Sequence, residues 1–185
     1  MMFQKDDLIV YGNTGVCRVK DIGPLKGISA ARKDRIYYTL EPVYEHGTIY
    51  IPVDTKVFMR LIISPEEAQS LIGKIPKIKE KSVECQNQRV LSEQYEASLN
   101  SHNCEDLIQL IRTVYMRSQR AVVRGKKPPQ TDERYMKRAK ELLHGELAAA
   151  LGINYEDVEQ YIRDALKVQS SVKAAKKEDA ESNNI

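Results

Sequence analysis

The chain of 185 residues has no Trp, two Phe and three Cys. Cys17, Cys85 and Cys104 are odd in number and far apart, with no C-x-x-C pair. That argues for reduced thiols and against a disulfide frame or a zinc site. No apolar run approaches the ~18 residues of a membrane span. The opening Met1 to Asp7 has no basic segment followed by an apolar one, so no secretory signal is expected. There is no glycine-rich phosphate loop leading into a helix, no Gly-x-Ser-x-Gly and no His-Glu-x-x-His. His46, His102 and His144 are too far apart for metal spacing along a helix and read as surface or packing residues. Cys17 lies in a strand pattern and reads as a small core residue. The carboxylates are spread along the helices and read as solvated faces. The expectation is a cytoplasmic protein that is not an enzyme, holds no cofactor or metal and does not enter a membrane.

What the chain does contain is 42% hydrophobic and 30% charged residues, the balance of a globular protein with a real core, in one or two domains. Its formal charge of +3 is an average over unlike parts. Residues 1–75 are nearly balanced and residues 145–185 are acidic. Residues 112–140 carry ten Lys or Arg against two acids. That stretch is the first indication of a partner.

The first 63 residues read as strands. Leu8 to Tyr11, Val16 to Ile22, Arg35 to Val43, Thr48 to Val53 and Phe58 to Ile63 are short β-prone runs divided by turn residues such as Gly12, Gly15 and Gly47. Five such runs predict a small, strongly curved sheet or barrel. Pro42 and Pro52 belong at strand ends or edges, because neither can donate to a ladder. At Ser64 the pattern changes. Ser64-Pro65-Glu66-Glu67 has the spacing of a capping box with Pro at the first helical position, and predicts a short helix to about Ile72. A charged linker follows, so residues 64–84 are taken together.

From residue 85 the period is helical. Leu91, Tyr95 and Leu99 recur every four residues. Asn103 caps a helix whose inner face is Leu107, Leu110, Ile111, Val114, Tyr115 and Val122. Gly125 to Gln130 breaks it, and Thr131 is expected to cap a helix burying Tyr135, Met136, Ala139, Leu142, Leu143, Leu147 and Ala150. Asn154 opens a last helix. Residues 169–185 are small, polar and charged, and are expected to be a disordered tail. The order of strands then helices is α+β: a β domain over 1–63 and an all-α bundle over 85–168.

Two surfaces follow from the residues. Arg117, Arg120 and Arg124 share one side of a helix, Lys126 and Lys127 follow in a loop, and Arg134, Lys137, Arg138 and Lys140 open the next helix. Together they suit a phosphate backbone, and alternatively form a solvated helix face. The Tyr-rich strands around Tyr37 and Tyr50 either present an edge to which another protein adds a strand, or merely cover a small core.

The opening from Phe3 to Val16 resembles the F-x-x-G-D-x-V-V-Y-x-x-x-G start of CarD/CdnL-type bacterial transcription regulators. Thr48 to Asp54 resembles the family's strand ending in Pro. Gln94-Tyr95 with Leu99, Leu110 to Arg112 through Gln119, and Arg138-Ala139-Lys140 through Gly145-Glu146-Leu147-Ala148 resemble its helical half. The resemblance runs from about residue 2 to 167. It implies a Tudor-like small β-barrel, similar to the polymerase-interacting domain of transcription-repair coupling factors. The resemblance implies that this barrel docks on the RNA polymerase β subunit, with Tyr37, Ile49, Tyr50, Ile51 and Pro52 as the expected docking residues. It also implies a helical bundle that contacts promoter DNA at the upstream edge of the melted region and stabilises the open complex. The expected DNA residues are Arg89, Leu91, Arg117, Arg124, Lys126, Lys127, Arg134 and Arg138. Leu91 stands where many members carry a Trp that wedges into the minor groove. A monomer, associated with the nucleoid through polymerase, is expected. The alternative is a Tudor- or SH3-like adaptor whose helices bind RNA or ribosomes.

Overall fold

The computed structural model describes residues 3–25, 35–81 and 87–182. Five strands come first: β1 (Leu8–Tyr11), β2 (Gly15–Gly23), β3 (Tyr37–Pro42), β4 (Ile49–Pro52) and β5 (Met59–Leu61). They form one antiparallel sheet in the order β4-β3-β2-β1-β5, so β4 and β5 are its edges. Alternation decides the inner face. Ile9, Cys17, Val19, Tyr38 and Leu40 are buried together. Ile49 and Ile51 from one edge and Met59 from the other pack on the same core. A flat sheet could not bring both edges to one cluster, so this one is curled. The register shift between Val19 and Asp21 in β2 bends that strand. Phe3 closes the open end: its N–H donates to Tyr38 Oη at 3.2 Å and the two rings meet at 5.8 Å.

The helices are α1 (Pro65–Lys74), α2 (Gln88–Asn100), α3 (Cys104–Val123), α4 (Gln130–Leu151) and α5 (Val158–Ser182). The α+β order is as expected. Ser64 accepts from the Glu67 N–H and the Glu67 carboxylate accepts from the Ser64 N–H, completing the capping box. Asn103 caps α3. Thr131 is not a cap: Pro129 occupies that position, and Thr131 is already helical. Gly152 takes the left-handed conformation (φ 65°) that ends α4.

One further expectation changes. Ala68, Leu71 and Ile72 of α1 are buried in the helical core, so α1 belongs to the bundle rather than to a linker. The linker's end and the boundary at residue 85 lie outside the described residues, as does Cys85. The stretch from residue 169 falls within α5, which runs to Ser182. Its Ala, Lys and Glu content has high helix propensity, and α5 propagates from turns already anchored by Val158 and Ile162.

The two cores are joined. Arg60 of β5 sends its guanidinium to Glu146 of α4, with Nη2 at 2.8 Å from Oε2 and Nη1 bonded to Oε1. Glu146 also accepts from the Ile63 N–H (3.0 Å) and the Cys104 thiol (3.2 Å). Tyr44 Oη donates to the Gly145 carbonyl at 3.0 Å. A Cβ on Gly145 would sit 3.1 Å from the Tyr44 ring, so the mid-helix glycine permits this approach. Phe58 stacks on His102 at 4.4 Å.

Candidate functional site

The β4 edge has a definable polarity. Val53 N–H bonds back to Ile36 C=O, and Ile51 faces Tyr38 in the same register. Antiparallel alternation therefore turns the main-chain groups of Ile49 and Ile51 toward β3 and those of Tyr50 toward the open edge. Pro52 offers no donor there. Side chains divide oppositely. Ile49 and Ile51 pack on the barrel core and Tyr37 is buried, whereas Tyr50 is exposed. Of the five expected docking residues, three therefore keep their side chains inside the domain. What the edge exposes is Tyr50, its side chain and its backbone, ending at Pro52.

The basic residues separate into two sets. Arg117 Nε lies 2.8 Å from Oδ2 of Asp132, whose side chain has no exposed surface. Arg112 donates to the Ile75 carbonyl. Arg138 pairs with Glu141 at 2.8 Å, bonds the Asn13 carbonyl and lies near Glu45. These three hold the fold together. The sequence pattern puts Arg117 and Arg138 on DNA, but their charges are neutralised internally, Arg138 across the domain junction. Arg89 is highly exposed and pairs with Glu93 one turn on. Arg134 lies over the Tyr135 ring at 5.2 Å. Arg120, Arg124, Lys126 and Lys127 have no ion-pair partner among the described residues, and all four are exposed at the α3–α4 hairpin. The expected patch thus contracts to the hairpin tip, with Arg134 beside it.

Leu91 is fully buried among Tyr95, Leu99 and the α3–α4 residues, a core position. It cannot insert between bases without opening the bundle. Tyr115 and Val122, expected inside, are exposed. They continue the stripe of Ile108 and Ile111, so the helical period is as expected. The last hydrogen bond to α3 among the described residues before α2 is Lys81 N–H on Thr113 Oγ1.

Titratable groups complete the picture. Burial pushes the Cys17 thiol up to about 12 and pushes the Cys104 thiol up as well, so neither is a nucleophile at neutral pH. Burial also pushes the Tyr95 phenol up to about 12, with Asp132 adding to it. Burial lowers His144 and His102. Among the described residues no cluster of three His, Cys, Asp or Glu could hold a metal, and no helix is long and apolar enough to cross a membrane.

The family model described as the CarD-like/TRCF RID domain matches residues 3–63. Those are the residues of the curled sheet and its edges. The N-terminal domain is a CarD-like RID domain. The match covers the sheet and stops where α1 begins, so the helical body stands on its own geometry. No curated protein matches the chain. The domain match supports an RNA polymerase-interacting, transcription-related protein. Among the described residues no strand pairs with the outer side of β4, while at the far edge, β5, the Arg60 side chain reaches α4 and the His102 carbonyl.

Neither surface is wholly legible from sequence. Asp132 and Glu146 look like solvated carboxylates of amphipathic helices, yet they are the two buried acids among the described residues. One signal is available for Glu146. It follows Gly145, and a glycine inside a long helix costs about 1 kcal/mol unless something packs against it.

Proposed function

We propose that this protein is a non-enzymatic transcription regulator that bridges RNA polymerase and promoter DNA and stabilises the open promoter complex. The RID domain docks on the polymerase β subunit by sheet extension at β4, with Tyr50 supplying the outward main-chain and side-chain contacts. The α3–α4 hairpin supplies DNA contacts through Arg120, Arg124, Lys126 and Lys127. Its place of action is the cytoplasm, on the nucleoid, as a monomer. The observation that carries the reading is the β4 edge of a RID domain, joined through Arg60 and Glu146 to a helical body that presents four exposed cations at one tip, none with an ion-pair partner among the described residues.

Mechanistically, such a protein favours melting only if it binds the open complex better than the closed one. A coupling of about 1–3 kcal/mol, roughly 5–150-fold, is typical of such linkage. The hairpin need bind DNA only weakly in isolation, because docking raises the local concentration of DNA near it.

The test separates backbone from side chain at the edge. Tyr50→Pro removes the outward N–H while an edge position tolerates proline. It is expected to abolish recovery of the β subunit in a pull-down, whereas Tyr50→Phe retains it. Recovery by Tyr50→Pro at the wild-type yield refutes sheet extension at β4. Open-complex lifetime, measured by competitor challenge, is expected to shorten in parallel.

A further inference from the structure

The tip of the α3–α4 hairpin combines two features that the docking reading does not use together. The first is order. Lys126 N–H donates to Ala121 C=O at 2.9 Å and Gly125 N–H to Val122 C=O at 2.8 Å, with Gly125 left-handed (φ 68°). This is a Schellman closure, which satisfies the carbonyl end of α3 with its own backbone. The helix therefore reaches its last residue without fraying. The second is exposure. A Schellman closure is commonly accompanied by an apolar residue after the glycine that packs back on the helix. Here that residue is Lys126, and the adjacent valines stay exposed. Val122 is 56% exposed and Val123 is 86% exposed, the highest among the exposed large hydrophobic side chains described.

Four exposed cations flank this apolar pair along the chain: Arg120 on α3, Arg124 at its cap, and Lys126 and Lys127 in the loop. No Asp or Glu occurs between Asp106 and Asp132. An apolar pair flanked by cations calls for a polyanion that also presents apolar area. Duplex DNA stacks its base faces away and shows phosphate and sugar on its outside. An unpaired strand alternates phosphates with open base faces; proteins that bind it pair a positive track with platforms for the bases, usually aromatic, and aliphatic side chains also pack on unstacked bases.

We infer that Val122 and Val123 receive the bases of unpaired DNA while Arg120, Arg124, Lys126 and Lys127 hold its phosphates. The inference rests on the proposed role of the hairpin in DNA binding and specifies the form of DNA it takes. It makes the hairpin a sensor of melted DNA, which is the differential affinity that stabilising an open complex requires.

Fluorescence anisotropy of the full chain tests this with labelled oligothymidylate, a duplex of equal length and oligouridylate. Wild type is expected to prefer oligothymidylate to duplex. Val122→Ser with Val123→Ser is expected to weaken oligothymidylate about tenfold, the scale set by two valine side chains that no longer bury apolar area against the bases, with duplex binding and the salt slope unchanged. Both positions are exposed, so circular dichroism should confirm an intact fold. The inference is overturned if the valine variant binds oligothymidylate as wild type does, if it loses strand and duplex equally, or if oligouridylate binds tighter. Lys126→Glu with Lys127→Glu provides the separate check. If its salt slope equals that of wild type, DNA binding by the hairpin itself fails, whatever the valines do.

Discussion

Removing the Glu146 carboxylate should both destabilise the protein and loosen its two halves. Glu146 is 3% exposed and gathers donors from three elements: the Arg60 guanidinium, the Ile63 N–H and the Cys104 thiol. Glu146→Ala deletes all of these bonds and leaves Arg60 facing a protein interior. Breaking a buried pair from one side costs about 3–5 kcal/mol. The Arg60 side chain is 27% exposed and keeps its bonds to the His102 carbonyl, so rehydration and those bonds place the cost near the lower end, about 3 kcal/mol. In a chain of this size each kcal/mol moves Tm by roughly 2–4 °C, which gives a fall of about 6–12 °C. Thermal unfolding by circular dichroism measures it. Hydrogen exchange should show lost protection at Ile63 and along the Gly145 face of α4. The double variant Arg60→Met with Glu146→Leu is expected to recover most of the loss, because it removes both charges and retains apolar volume. A Tm within about 2 °C of wild type for Glu146→Ala would refute the reasoning, since less than 1 kcal/mol would then separate a four-bond buried carboxylate from a methyl group.

Further outcomes are expected at other points. Leu91→Ala should destabilise by about 2–5 kcal/mol in a denaturant titration and leave the DNA salt slope unchanged, because Leu91 is core; intact stability with lost DNA binding would reverse that assignment. Gly145→Ala sets the helix gain of about 1 kcal/mol against a 3.1 Å contact with the Tyr44 ring, so its effect on Tm should be small. In a Tyr44→Ala background the same change should stabilise, and a double-mutant cycle reads the difference. His144, lowered from 6.5 chiefly by burial, takes up protons more readily when unfolded. Its contribution is therefore complete above pH 6.5 and is lost as pH falls below it, before carboxylates such as Glu159, lowered by the Lys140 hydrogen bond, act below their ordinary 4.5. His144→Gln should flatten the upper part of that acid limb in urea titrations. Mass-mapped thiol labelling at neutral pH should modify Cys17 and Cys104 far more slowly in the native than in the unfolded chain.

Much of this architecture is written in local patterns. The alternation of Ile9, Cys17, Val19 and Leu40 sets the inner face of the sheet, and the Ser64–Glu67 box starts α1 where a capping box should. What local pattern leaves out is which faces acquire neighbours. Tyr115 and Val122 keep the helical period but are exposed. Arg117 and Arg138 look like members of a phosphate patch until Asp132, Glu141 and the Asn13 carbonyl are brought beside them by tertiary packing. Edge strands pose the same problem. Ile49, Tyr50 and Ile51 are adjacent in sequence, but only the register with β3 tells which of them turns its N–H outward.

The joint between the halves decides how the two proposed contacts work together. A flexible tether would hold DNA near the hairpin by effective concentration alone, falling as the linker lengthens. Here residues 60–63 are clamped to α4 by Glu146, while Tyr44 bonds to Gly145 and Asn13 to Asn100. The distance from the Tyr50 edge to the Val123 tip is then set by packed helices and strands rather than by chain statistics. A rigid bridge discriminates by geometry, because the tip engages DNA only where the nucleic acid lies at that fixed displacement from the docked edge. Loosening the joint should therefore leave polymerase binding and isolated DNA binding near wild type while shortening the lifetime of the ternary complex. Glu146→Gln, assayed below its own melting range, separates these quantities. An unchanged ternary lifetime in a variant whose exchange data show a loosened joint would mean that the halves act as independent modules.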